Sequence, residues 1–162
     1  MTKPAINFSH KVWRNPWHFI AFGFGSGLMP FAPGTWGTLA AIPLYWLLSS
    51  LSLPTYLIVT IFAFILGVVA ADRVSREMRV HDFGGIVWDE VVGYLLTMTM
   101  MPFNWYWAIV GFLLFRLFDI WKPAPIRYID RQVQGGLGIM LDDVLAALYA
   151  WLVLQGLYYA VH

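Results

Sequence analysis

Three runs of the chain, residues 36–53, 55–71 and 144–161, contain no Asp, Glu, Lys or Arg. Each approaches the roughly 20 apolar residues that carry an α-helix across a hydrocarbon core. A water-soluble fold of 162 residues has no interior large enough to hide three such runs. Charged residues make up only 12% of the chain, where a soluble domain has about a quarter. The spacing therefore predicts an all-α, polytopic transmembrane bundle. With no cysteine in the chain, disulfides, thiolate nucleophiles and sulfur metal ligands are excluded.

Two further stretches, 86–101 and 105–118, are apolar and of near-spanning length with ionisable residues at one end, giving five spans, or four if one of them fails to cross. Residues 17–31 are also apolar, but Gly23, Gly25, Gly27 and Pro30 interrupt them. That interruption predicts a re-entrant or interfacial element rather than a span. Residues 1–16 carry Lys3, Lys11 and Arg14 without the apolar core of a secretory signal, and read as a cytoplasmic tail. Residues 17–162 then form a single membrane-embedded domain. If the spans alternate, all ten Lys and Arg residues fall on one side, in the tail, the 72–85 loop and the 122–141 loop with its flanking helix ends. The positive-inside rule makes that side the cytoplasm.

Carboxylates are expensive near a bilayer and need a reason. Asp89 and Glu90 open the third span, Asp119 closes the fourth, and Asp142 and Asp143 open the fifth, so all five are expected at one membrane level. Taken singly, Asp89, Asp142 and Asp143 suit ordinary first-turn or cap positions at the positive end of a helix. Taken together they would repel one another without positive charge among them. Arg116, Asp119 and Lys122 follow at three-residue steps, which places plus, minus, plus on one helix face. Oxygen ligands in surplus, without sulfur, suit magnesium rather than zinc, and magnesium commonly shares a site with phosphate. The candidate metal ligands are Glu90, Asp119, Asp142 and Asp143. His81 and Asp82 stand ahead of Asp89, and His81 is a candidate acid, base or ligand. A glycine-rich stretch ahead of the first span offers backbone amides and the hydroxyls of Ser26 and Thr35 to an anion, with Gly25 and Gly34 permitting close approach. The same glycines equally suit close helix packing.

Seven segments in series carry a family resemblance: GFGSGL at 23–28, APGT at 32–35, VHD at 80–82, IVWDEVVG at 86–93, FRLFD at 115–119, WKPAPI at 121–126 and GGLGIMLDD at 135–143. Together, over about residues 15–150, they resemble the phosphatidylglycerophosphatase A family of bacterial inner-membrane lipid phosphatases. The resemblance implies a magnesium-dependent enzyme that hydrolyses phosphatidylglycerophosphate to phosphatidylglycerol and phosphate at the cytoplasmic face. Asp89, Glu90, Asp119, Asp142, Asp143 and His81 are then the catalytic candidates. Arg116, Lys122, Gly25, Ser26, Gly34 and Thr35 are the candidates for binding the phosphate. The expected partners are the lipid substrate and the bilayer, with no nucleic acid and no obligate protein. The alternative from another class is a cation-coupled transporter or channel subunit, which would spread its acids through the depth of the bilayer.

Overall fold

A computed structural model describes residues 8–80 and 83–162. His81 and Asp82 lie outside the described residues, so the role expected of His81 is not placed. Eight α-helices follow in order among the described residues: α1 (Phe8–Arg14), α2 (Pro16–Ala21), α3 (Pro33–Leu48), α4 (Leu53–Met78), α5 (Trp88–Thr97), α6 (Trp105–Trp121), α7 (Ile126–Gln132) and α8 (Gly135–Val161). A 3-10 turn, Gly23–Leu28, joins α2 to α3. The described residues contain no strand.

Two helices, α4 and α8, are long and apolar enough to cross a membrane. Four helices, α3, α4, α6 and α8, surround α5, whose Trp88, Val91, Val92, Tyr94, Leu95 and Thr97 are all buried. Their outward faces invert the soluble pattern: Leu47, Phe62, Ile65, Ile109, Leu113 and Leu152 are all more than half exposed. Ile109, Leu113 and Leu117 recur every four residues on α6 and form one continuous apolar stripe. Surfaces of that extent are stable against lipid chains and not against water.

The α5 helix departs from the expected span over 86–101. It holds ten residues, about 15 Å at 1.5 Å per residue, or half of a hydrocarbon core. A buried helix that stops after ten residues leaves carbonyl groups without helical partners, and neighbouring side chains supply the donors. The Tyr56 hydroxyl of α4 donates to the Leu95 carbonyl at 2.6 Å. From α8, Trp151 Nε1 and Gln155 Nε2 both donate to the Thr99 carbonyl at 3.0 Å. Tyr45 of α3 donates to the Met101 carbonyl at 2.8 Å. Non-helical backbone inside a membrane is tolerated only when it is satisfied in this way.

Further boundaries differ from expectation. The α8 helix starts at Gly135, so Asp142 and Asp143 lie two turns inside it and are not cap residues. Its first free amides are served from another helix: Asp72 Oδ1 of α4 accepts from the Gly136 N–H at 3.4 Å. Part of the stretch expected as loop, 122–141, is the short helix α7. The expected tail is part of the fold from α1 onward, because Val12 is fully buried beside Ala21, Phe22 and Val74. Lys11 pairs with Glu77 at the end of α4, and Arg73 lies 4.0 Å over the Trp17 ring. Residues 17–31 form α2 and the 3-10 turn, both too short to cross.

Candidate active site

The acids converge because three helices present them at one level. Asp89 and Glu90 occupy the first turn of α5, where the free amides and the positive end of the helix favour carboxylates. The Val87 N–H donates to the Ala21 carbonyl at 2.8 Å, anchoring that turn to α2. Asp119 lies in the last turn of α6, one turn beyond Arg116. Asp142 and Asp143 come from α8, which packs closely on α5: a methyl group at Gly93 would lie 2.5 Å from Phe115 Cζ and 3.3 Å from the Asp143 carbonyl oxygen.

The five carboxylates divide into two groups. Asp89, Glu90 and Asp143 each offer an oxygen within 4.8 Å of the others. Asp89 Oδ1, Glu90 Oε2 and Asp143 Oδ2 are buried without a hydrogen-bond partner. Asp119 and Asp142 are instead matched to cations. Arg116 Nη1 pairs with Asp119 Oδ2 and lies 3.7 Å from Glu90 Oε1. Lys122 Nζ donates to Asp142 Oδ2 at 2.6 Å and lies 3.3 Å from Asp130 Oδ2. Burial by itself would lower the Lys122 ammonium, but Asp142 and Asp130 outweigh it and hold its pKa above the ordinary lysine value. Asp142 Oδ1 and Arg116 Nε remain unpaired and buried.

The unpartnered trio is the half of the site that could hold a cation. Two carboxylates at 4.8 Å repel by about 3.5 kcal/mol at an effective dielectric near 20. Three such pairs rival the net stability of a typical domain. One hard divalent cation among the three oxygens removes that repulsion and supplies the missing partner of each. The ligand set that fits is thus Asp89, Glu90 and Asp143, whereas Asp119 and Asp142, expected as ligands, are paired to built-in cations.

The glycine-rich segment divides as well. Gly34, second residue of α3, sits against the site so closely that a methyl group there would collide with Glu90 Oε1 and lie 3.1 Å from Arg116 Nη1. Thr35 follows it in the first turn of α3, its N–H donating to the Ala32 carbonyl at 3.0 Å. Gly25 and Ser26 are not gathered to the acids. Gly25 has φ of 95° in the 3-10 turn and packs on the Trp13 ring, and Ser26 Oγ donates to the Gly23 carbonyl at 2.8 Å. Their hydroxyl and backbone serve the turn itself, which explains why glycine recurs there. Asp130 is the charged residue that sequence reasoning missed. It stands eight residues from Lys122 across a helix boundary, so no helical spacing links the two.

The sequence matches the family described as phosphatidylglycerophosphatase A over residues 19–158. Phosphatidylglycerophosphatase A of Escherichia coli (strain K12) is 48% identical over 139 residues, which cover 85% of this chain and 81% of that protein. Phosphatidylglycerophosphatase A of Haemophilus influenzae is 49% identical over 147 residues, 90% of each chain. No solved structure matches the chain. With a family match across most of its length and two relatives near half identity, the chain belongs to the phosphatidylglycerophosphatase A family and is a phosphatase.

Proposed function

We propose that this chain is a magnesium-dependent phosphatase that hydrolyses phosphatidylglycerophosphate to phosphatidylglycerol and phosphate at the cytoplasmic face of a bacterial inner membrane. The observation that carries the reading is the trio Asp89, Glu90 and Asp143, with unpaired buried oxygens beside Arg116 and Gly34. The relatives' names supply the lipid, and the side-chain chemistry accounts for how such a lipid phosphate would be held.

Depth supports the same reading. Asp119 lies about 21 Å along α6 from Trp105, and Asp143 about 27 Å along α8 from Val161. In a hydrocarbon core of about 30 Å the acids then stand in the half nearer one boundary, toward the lipid headgroups of that leaflet. The Lys and Arg residues gather at that end, which the positive-inside rule assigns to the cytoplasm. In this arrangement α3, α4, α6 and α8 cross, and the short α5 with the capped segment 98–104 makes the remaining passage, five in all. A transporter path would need acids distributed through the depth; these five occupy one layer.

Asp89, Glu90 and Asp143 would hold the magnesium through their unpaired oxygens. Once bound, magnesium draws negative charge from phosphate oxygens and makes a nucleophilic water available near neutral pH. Arg116 would offer its unpaired Nε–H and its other in-plane N–H groups to the non-reacting phosphate oxygens, while Asp119 fixes its plane. Gly34 lets the first turn of α3, its positive end, pack directly against Glu90 and Arg116. Lys122 adds a second positive charge as negative charge develops. Asp142 Oδ1, unpaired beside Lys122, is placed to take a proton from the attacking water. A phospho-aspartate on one carboxylate is the competing route. Single turnover in oxygen-labelled water separates them, since label in a protein carboxylate rules out direct attack.

The deciding assay is phosphate release from phosphatidylglycerophosphate in detergent, with magnesium and with chelator. Release that stops on chelation and returns with magnesium is the expected result. No release sinks the substrate assignment, and release indifferent to chelator sinks the metal.

A further inference from the structure

Helix α6 carries the phosphate clamp and a lipid-exposed stripe on one face. Trp105, Ile109, Leu113 and Arg116 follow at steps of four, four and three residues, so their side chains share that face. Trp105, Ile109 and Leu113 are each more than half exposed, and Ile120 continues the face beyond Arg116. Ala108, Gly111 and Phe115 form the inward face and are buried. The Arg116 side chain is 15% exposed, its Nε has no partner, and its Nη1 lies 3.7 Å from Glu90 Oε1. The guanidinium therefore stands where the outward face of α6 meets the acid trio.

Arg116 lies about 10 Å along α6 from Ile109 and about 16 Å from Trp105. One leaflet is half of a hydrocarbon core of about 30 Å, so the stripe has the length of one layer of acyl chains. The α4 helix bears a comparable outward stripe in Ile58, Phe62, Ile65 and Val69. The cations at its C-terminal end are engaged, however: Arg73 lies over the Trp17 ring, and Arg76 pairs with Asp72 Oδ2 at 2.9 Å. The α6 stripe ends instead on a cation of the site that keeps an unpaired N–H. We propose that the outward face of α6 seats an acyl chain of the lipid substrate: a chain lying along Trp105, Ile109 and Leu113 brings its own headgroup phosphate sideways from the leaflet onto Arg116. The site then takes phosphomonoesters that stay anchored in the bilayer. The inference rests on the phosphatase reading and deepens it, adding the surface that receives the apolar part of the substrate.

The chain has no cysteine, so Leu113→Cys on α6 and Phe62→Cys on α4 each give the full-length protein one position for a bimane fluorophore. Both labelled proteins are placed in phosphatidylcholine vesicles with magnesium. The probe is a phosphonate analogue of phosphatidylglycerophosphate, in which carbon replaces the ester oxygen so that no phosphate leaves, with a nitroxide quencher halfway along one acyl chain. Phosphatidylcholine carrying the same nitroxide reports random lipid contact. At Leu113 the analogue should quench at a concentration about fivefold or more below that needed with phosphatidylcholine, the scale of one arginine contact at a membrane surface. Arg116→Gln should abolish that preference, and at Phe62 the two lipids should quench alike. Ile109→Cys takes the place of Leu113→Cys if the latter does not fold. Equal quenching by the two lipids at the α6 label overturns the proposal. So does a preference at Phe62 as large as that on α6, or one that survives Arg116→Gln. Phosphate release by the unlabelled parent is followed in parallel: its absence would defeat the phosphatase reading, whereas the quenching contrast by itself decides where the chain lies.

Discussion

Gly34 is where one methyl group would do most harm for least change in composition. An added Cβ would collide with Glu90 Oε1 and crowd Arg116, displacing a cation ligand and the phosphate clamp together. Misplacement of a reacting group by about 1 Å costs on the order of a hundredfold in rate. Gly34→Ala is therefore expected to lower kcat/KM about a hundredfold while the thermal melt in detergent shifts only slightly. The two groups of acids give a second contrast. Asp143→Asn and Glu90→Gln each neutralise a carboxylate of the proposed cation trio, and phosphate release should fall about a hundredfold or more, with the magnesium requirement moved to higher concentration. Asp119→Asn removes only a partner of Arg116, so its magnesium titration should stay in place while KM rises. His18 supplies a pH prediction. It is 1% exposed, with Glu77 Oε2 3.3 Å from Nε2 and Lys11 on that same carboxylate. Burial lowers its pKa below the ordinary 6.5, Glu77 opposing and Lys11 reinforcing the shift. The unfolded chain thus binds the proton more tightly, and stability falls as pH drops below about 6.5. Thermal melts across that range should show the loss in the parent protein and a shallower dependence in His18→Gln.

At the scale of elements, α5 decides the architecture. Its first turn places Asp89 and Glu90, and the carbonyls of Leu95 near its end and of Thr99 and Met101 just beyond it are satisfied by Tyr56, Trp151, Gln155 and Tyr45 from three other helices. The capping end and the acidic end are therefore separable. Tyr56→Phe leaves the buried Leu95 carbonyl with only the longer hydrogen bond from the Thr99 hydroxyl, at 3.4 Å, a loss of about 1 kcal/mol. The expected outcome is a melting temperature lowered by a few degrees with magnesium dependence and KM unchanged. A large rise in KM would show that the far end of α5 is mechanically coupled to the site.

At the scale of the whole molecule, the outward apolar faces and the one-sided charge require a defined orientation. The chain contains no cysteine, so a single introduced thiol reports its own side without background. Ser50→Cys, in the turn between α3 and α4, should react with an impermeant thiol reagent from outside intact cells. Arg131→Cys, on α7, should react only after the membrane is opened. The opposite pattern would invert the topology and remove the active site from the cytoplasm.

The helical class and the two helices long and apolar enough to cross a membrane were legible in the sequence, because they depend on the order of apolar and polar residues along the chain. The convergence of Asp89, Glu90, Asp119, Asp142 and Asp143 was legible too, as each sits at the end of an apolar run that an alternating up-and-down path brings to one side. Which acids are free and which are paired was not. That depends on distances of a few ångströms between helices, set by packing at residues such as Gly93 and Gly34. The half-length of α5 was equally hidden, since the apolar residues after Thr97 look the same in a helix or in a capped turn. Only the donors arriving from other helices allow the chain to stop there. Asp130 was invisible for the same reason: it meets Lys122 through the turn between α6 and α7, and a contact made by folding leaves no period in the sequence.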